Sequence, residues 1–321
     1  MGETAMPVPV SAHAPAIWNA DNERRVRVGL AWNALAEETR RAYMKAFTRI
    51  RSFIAEIPGY DDIDNVTDEL LSVYLQGRAK DGITPSGLSI DCAAVGWYFK
   101  NVLDIKHSWI SSKRVIWICK REGGHIQRSV DGITWQETET VCALAYASGT
   151  LRGVRDASLI RLMSDCLLRI SEAVAVNCGD LRKNALTVRG SKTDQVRKGA
   201  TLYVGDYTIK TIEEYKARAG IEKGALFRRV VKGDNIHSAR LSTCAARTAI
   251  KRWAKEAGVT GIISGHSLRV GSAVSLADAG ASVVDMQLVG RWKSSEMPVH
   301  YARSEMAERG AIAEYKYGKR R

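Results

Sequence analysis

Apolar residues recur at helical spacing through most of the first 120 positions. In LAEETRRAYMKAFTRIRSFIAEIPG (residues 35–59), Tyr43, Phe47, Ile50, Ile54 and Ile57 fall on one face, and Pro58-Gly59 stops the run. Arg40, Arg41, Lys45 and Arg49 lie off that stripe. A second helix is expected over VTDELLSVYLQGRA. A third follows the turn ITPSG and carries Ile90, Ala94, Trp97 and Tyr98, and a fourth covers SSKRVIWICKRE. KREGGHIQRS then breaks the pattern with two glycines among basic residues and reads as a linker.

The second half opens with a helix near Thr134. Another is expected from Arg155 to Leu168, with a short continuation after Ser171. The stretch ALTVRGSKTDQVRKGATLYVG differs: LTV and TLYV flank a polar turn, which is a hairpin pattern. Helices resume at Asp206, read as an N-cap with Ile209, Ile212 and Tyr215 in register and Gly220 as stop, and at Ser242. The last three begin near Ser264, Ser282 and Ser295. SVVD at 282–285 has capping-box spacing, and Pro298 falls in a first turn, where a missing N–H is tolerated. The expected fold is mainly α with a small β-hairpin or sheet. Its expected division is a disordered leader (1–20), a helical domain (21–121), a linker (122–131), a mixed α/β domain (132–302) and a tail helix (303–321).

Composition narrows the function. A chain of 321 residues with 45% hydrophobic content suits about two domains, each with a core. No run approaches the ~18 uncharged apolar residues of a membrane helix, and MGETAMPVPVSAHAPA lacks the basic-then-apolar plan of a signal peptide. Six cysteines (Cys92, Cys119, Cys142, Cys166, Cys178, Cys244) form no CxxC pair and have no histidine at zinc-ligand spacing. They read as free thiols in a reducing cytoplasm, with no metal and no cofactor. The net charge is +13, and it is uneven: 17 Lys+Arg face 15 Asp+Glu in residues 1–128, against 31 and 20 in 129–321. A polyanion, nucleic acid above all, is the natural partner of that surplus. A merely soluble basic protein is the alternative.

Three clusters could carry chemistry. LLRISEA sets Arg169 and Glu172 three apart, SGHSLRVG does the same for His266 and Arg269, and VGRWKSSEMPVHYARSE places Trp292 nine residues before Tyr301. The hairpin turn adds Lys192, with Lys198 nearby. Each has a plain alternative. Arg169 with Glu172 could be a structural ion pair, His266 a helix-start histidine, Trp292 a core residue, and Lys192 a solvated turn lysine. His300 invites a general-base role beside Tyr301, although sequence neighbours on a helix do not face one another.

Taken in order, R-x-S-E, a hairpin lysine, H-x-x-R, G-R-W and a tyrosine nine residues after the tryptophan resemble the tyrosine recombinase (phage integrase) superfamily. SGHS-x-RVG, Trp292 and LFRRV followed by LST look most like its Cre-type members. The resemblance covers nearly the whole C-terminal half, and the helical N-terminal half is similar in pattern to the family's core-binding domain. It implies a two-domain DNA clamp and a site-specific recombinase. Tyr301 would be the nucleophile forming a 3′-phosphotyrosine, and Arg169 and Arg269 the guanidinium clamp on the phosphoryl oxygens. His266 and Trp292 would donate hydrogen bonds, and Lys192 would protonate the leaving 5′-oxygen. Glu172 would orient His266 or an arginine from behind. STCAARTAIKRW resembles the family's groove-reading helix, with Arg247 and Lys251 off its apolar face; Arg40 and Arg41 are further DNA candidates. The implied partners are double-stranded DNA with inverted repeats and three further copies of the chain, coupled through the tail helix. No membrane and no small-molecule substrate is implied. A type IB topoisomerase and a silent DNA-binding regulator are the rival readings.

Overall fold

In the computed structural model, residues 20–122, 130–189 and 199–301 are described. The chain divides into two units, Met1–Arg128 and Ser129–Arg321. In the first, α1 (Ala20–Asn33), α2 (Glu37–Ile54), α3 (Asp68–Lys80), α4 (Pro85–Tyr98) and α5 (Ile110–Glu122) enclose a core that includes Phe47, Ile50, Ile54, Leu75, Leu88 and Val95. Local signals set the boundaries. The Thr67 hydroxyl accepts from Leu70 N–H to start α3. Thr84 caps α4 with Pro85 as its first residue, where no N–H is missed. The carboxylate of Asp68 accepts the backbone N–H groups of Ser111 and Ser112, which fixes the start of α5.

On α4, Ile90 is 42% exposed. The inward place belongs to Asp91, which is fully buried because Arg49, Arg78 and Tyr74 converge on its carboxylate. Helix α1 was not expected, and its Trp32 packs edge-on against Trp97 at 5.3 Å.

The second unit begins with α6 (Trp135–Ala147), started by a full capping box between Thr134 and Glu137. Helix α7 (Leu151–Asp165) is buried along almost its whole length. It starts earlier than the expected Arg155 because Thr150 caps Gly153 N–H. After α8 (Ile170–Ala175) comes an antiparallel sheet of β1 (Leu181–Arg182), β2 (Ala185–Val188) and β3 (Ala200–Tyr203), with Leu186 opposite Leu202. Helix α9 (Asp206–Ala219) has Gly205, not Asp206, as its N-cap, and it ends on left-handed Gly220. A second hairpin, β4 (Arg228–Val230) with β5 (Ile236–Arg240), was not expected. Then follow α10 (Thr243–Glu256), α11 (Ser267–Asp278), α12 (Val283–Gly290) and a helical turn at 296–301.

The main core gathers residues such as Leu159, Tyr215, Phe227 and Trp253. A smaller cluster joins Leu167, Ala273, Ala277 and Met286 to Trp292 and Tyr301. Lys192, Lys198, most of the 122–131 linker, the 1–20 leader up to Met1–Asn19 and the 303–321 tail lie outside the described residues. No described helix is long and apolar enough to cross a membrane, and no metal-ligand cluster occurs among the described residues.

Candidate active site

Helix α7 ends at Asp165, and the chain reverses through Leu167, whose backbone is left-handed (φ 46°). This turn leaves the Leu167 carbonyl free of the helix ladder and makes Arg169 the N-cap of α8. Glu172, at the third position of α8, folds back on that cap. Its Oε2 accepts from the Arg169 backbone N–H at 3.0 Å, and its Oε1 accepts from Arg169 Nη1 at 2.8 Å. The i,i+3 ion pair expected as the plain alternative is therefore present, but one partner, Glu172, is buried.

Arg269 enters from α11 and is wholly buried. Its Nη1 donates to the Leu167 carbonyl and its Nη2 to the Gly290 carbonyl. The guanidinium lies over the Trp292 ring, 4.7 Å from its centroid. Burial pulls its pKa down from 12.5 to about 10, with further lowering from the neighbouring charges of Arg169 and Arg291; Glu172 and Tyr301 act in the opposite sense. It remains a cation at neutral pH.

The Trp292 ring packs against Tyr301, with centroids 5.7 Å apart. Burial raises the Tyr301 phenol above its usual 10, against the lowering effect of Arg269 and then Arg169. His266 stands just before α11, and its backbone N–H donates to Ser264 Oγ. Burial lowers its pKa below 6.5, as do the charges of Arg269 and Arg169. Arg269, Trp292 and Tyr301 are thus in contact, the charges of Arg169 and Arg269 are near enough to act on His266 and Tyr301, and Glu172 pairs with Arg169. Glu172 accepts from Arg169 and Arg291, and among the described residues no hydrogen bond joins it to His266. His300 is exposed, its ring edge-on to Tyr301 at 5.6 Å, and among the described residues no hydrogen bond joins it to the phenol.

Sequence reasoning missed one member. Arg291 follows α12 in the left-handed region (φ 55°, ψ 43°), where a glycine is the ordinary choice. Its Nη2 donates to Glu172 Oε2 at 2.9 Å and to the Leu167 carbonyl at 3.2 Å. Its Nε and Nη1, and Nε of Arg269, are buried with no acceptor among the described residues. The left-handed backbone costs ~1–2 kcal/mol at a non-glycine, and each buried donor left unpaired costs ~1–3 kcal/mol. The available signal was the GRW tripeptide, which sets a cation between a glycine and the pocket tryptophan.

The DNA-facing candidates lie elsewhere. Arg247 and Lys251 are exposed on α10, away from buried Ala246, Ile250 and Trp253. In the first unit, Arg40 donates to Asn33 and Arg41 is held by Glu37 and Glu38 on its own helix. The free cysteines include exposed Cys244 on α10.

The model of the phage integrase family matches residues 135–308. Over 197 residues the chain is 27% identical to an integrase/recombinase xerD homolog of Selenomonas ruminantium, a match covering 57% of this chain and 56% of that protein. Over 123 residues it is 32% identical to tyrosine recombinase XerC of Caldanaerobacter subterraneus subsp. tengcongensis, covering 36% of this chain and 31% of that one. The chain thus spans about half the length of the first of these relatives and a third of the second. Among solved structures, XerH recombinase in a post-cleavage complex with palindromic difH substrate aligns at TM-score 0.65 and 14% identity, over 92% of this chain and 84% of that one. A lambda integrase dimer bound to a COC′ core site aligns at 0.57 and 18%, over 88% and 75%. These two structures share the fold.

Proposed function

The chain belongs to the phage integrase family, and from that premise we propose that it is a site-specific DNA recombinase working through a 3′-phosphotyrosine on Tyr301. The phenolic oxygen attacks the scissile phosphorus, the O–P bond forms as the bond to the 5′-oxygen breaks, and the leaving oxygen takes a proton from Lys192. One phosphodiester replaces another, so the free 5′-hydroxyl of a second strand can reverse the step without nucleotide hydrolysis. Arg169 and Arg269 hold the non-bridging oxygens, where negative charge builds up in the transition state. His266, kept neutral near pH 7 by burial and two guanidiniums, offers one ring N–H to the phosphoryl group and keeps its other nitrogen for the phenolic proton. Trp292 holds Arg269 and Tyr301 against each other and donates its indole N–H.

The observation that supports this reading is geometric: the Trp292 ring has the buried Arg269 guanidinium over it at 4.7 Å and packs on Tyr301 at 5.7 Å, so residues far apart in the chain meet on one indole. On DNA, α10 lies in the major groove with Arg247 placed for a guanine edge and Lys251 for phosphate. Four copies assemble on two inverted-repeat sites. The test begins with selection of bound duplex from a random pool. That site is then prepared with a nick beside the scissile phosphate, so that the short leaving strand diffuses away and the covalent adduct accumulates. The wild-type chain forms the adduct without added metal or nucleotide. Tyr301→Phe forms none and binds the site within a few-fold of wild type. An adduct that survives in Tyr301→Phe reassigns the nucleophile.

A further inference from the structure

Two acceptors in the pocket are each shared by two arginines. The Glu172 carboxylate takes Arg169 through Oε1 and Arg291 through Oε2. The Leu167 carbonyl takes Arg269 and Arg291. Arg291 is the one side chain common to both, so Arg169, Glu172, Arg291, the Leu167 carbonyl and Arg269 form a continuous chain of charge-assisted hydrogen bonds. Without Arg291 the two guanidiniums of the clamp sit on separate supports: Arg169 on its own helix start, and Arg269 on α11.

Stability alone does not explain an arginine at this place. Its backbone is left-handed, two of its donors are buried unpaired, and its charge lowers the pKa of Arg269 beside it. A glycine would satisfy the backbone and remove both other penalties. Arg291 also contributes its contacts through a single nitrogen, Nη2, which is the pattern of a bridge between two groups rather than of a forked grip on one anion.

We propose that Arg291 is a positioning residue for strand cleavage: it ties Glu172 to the Leu167 carbonyl and so holds the guanidiniums of Arg169 and Arg269 at a fixed separation for one phosphoryl group. This rests on the recombinase reading of the same pocket. Loss of the tie leaves DNA affinity in place, because the clamp's charges remain. It loosens their geometry, which catalysis senses at the scale of 1 Å.

The experiment uses the full chain and the nicked site. Arg291→Gly, which suits the left-handed backbone, does not lower the unfolding temperature and binds the site within threefold. The slope of log affinity against log salt is unchanged. Its single-turnover adduct formation slows on the order of 10²-fold. Arg291→Lys recovers to within about tenfold, since one ammonium can meet both acceptors. Combining Arg291→Gly with Glu172→Ala loses little beyond the worse single variant, because both break the same chain. An adduct rate in Arg291→Gly within threefold of wild type overturns the proposal. So does a salt slope lowered by ~0.9, which would make Arg291 a phosphate ligand, and so do fully multiplicative losses in the double variant. A wild-type chain that forms no adduct removes the recombinase reading itself, whereas a normal wild-type adduct with an undiminished Arg291→Gly rate removes the tie alone.

Discussion

Gly290→Ala puts a methyl group where the pocket has no room. An added Cβ would stand 2.5 Å from Cη2 of the Trp292 ring and closer still to Cε3 and Cζ3. Carbon atoms need ~3.5 Å or more, so the ring must withdraw by at least about 1 Å or the turn must open. The ring has little freedom, because Arg269 lies over it at 4.7 Å and Tyr301 packs on it at 5.7 Å. Overpacking of this kind costs ~1–3 kcal/mol, offset by up to ~1 kcal/mol from replacing glycine at a helix end. The net loss of ~0–3 kcal/mol lowers the unfolding temperature by up to several degrees at ~2–4 °C per kcal/mol. Catalysis suffers more, since a ~1 Å displacement of a reacting group costs on the order of 10²-fold. The assay compares adduct formation on the nicked site with DNA binding and thermal unfolding. Gly179→Ala, where a Cβ meets nothing within 4 Å, serves as the control. Wild-type adduct formation in Gly290→Ala would refute the argument that Trp292 transmits backbone position to Tyr301.

Two further predictions concern charge. In the free protein the His266 ring titrates below 6.5, and Arg169→Ala moves its midpoint upward; an NMR midpoint at or above 6.5 in the wild type contradicts the account of burial and guanidinium repulsion. Because the unfolded chain then binds that proton more readily, His266's contribution to stability is present above 6.5 and is lost as pH falls through the folded value, measurable as the difference between wild type and His266→Gln in urea melts. In the first unit, Asp91→Ala leaves Arg49 and Arg78 around a carboxylate-free site and destabilises by ~2–4 kcal/mol, less than a fully buried pair because both arginines retain some solvent. A loss under ~1 kcal/mol in calorimetric unfolding would show the network to be dispensable.

The sequence was most legible where one face of a helix is dry and the other wet. Phe47, Ile50 and Ile54 could be read as inward because their spacing has no competing explanation, and the hairpin of β2 and β3 stood out through its turn chemistry. Legibility failed where burial is not periodic. Helix α7 buries Arg155, Asp156, Ser158 and Arg161 together with its leucines, so no stripe marks its limits. The partners that make this possible, Arg252 and Trp253 on Asp156, come from nearly a hundred residues away. Asp91 was hidden for the same reason: its carboxylate is buried on α4, and its cations come from α2 and α3. Hairpin β4–β5 escaped notice because four of the five residues of β5 are exposed and its outward face is polar. Within the pocket, the motifs identified side chains by type and order. Arg291 was hidden because its meaning depends on a backbone carbonyl, that of Leu167, which no residue identity records.

The pocket's charge is deliberately left unbalanced in physical terms. Of three neighbouring guanidiniums, Arg169 and Arg291 pair with the Glu172 carboxylate, while Arg269 donates, among the described residues, only to the Leu167 and Gly290 carbonyls. The fall of the Arg269 pKa from 12.5 to about 10 corresponds to ~3 kcal/mol of disfavoured charge, and three buried N–H groups add their own desolvation cost. A structural network would relieve that strain with a second acid or a smaller side chain. The phosphodiester of the proposed reaction would relieve it differently. It supplies one negative charge in the ground state and more as the fifth oxygen approaches phosphorus, so the penalty carried by the free protein is returned in largest measure at the transition state. On the proposed recombinase reading, the phenol pKa of Tyr301, raised by burial, fits the same logic. In that proposal the phenol stays neutral beside the clamp until a phosphorus atom is there to take its oxygen, which keeps the clamp's positive charge available to DNA.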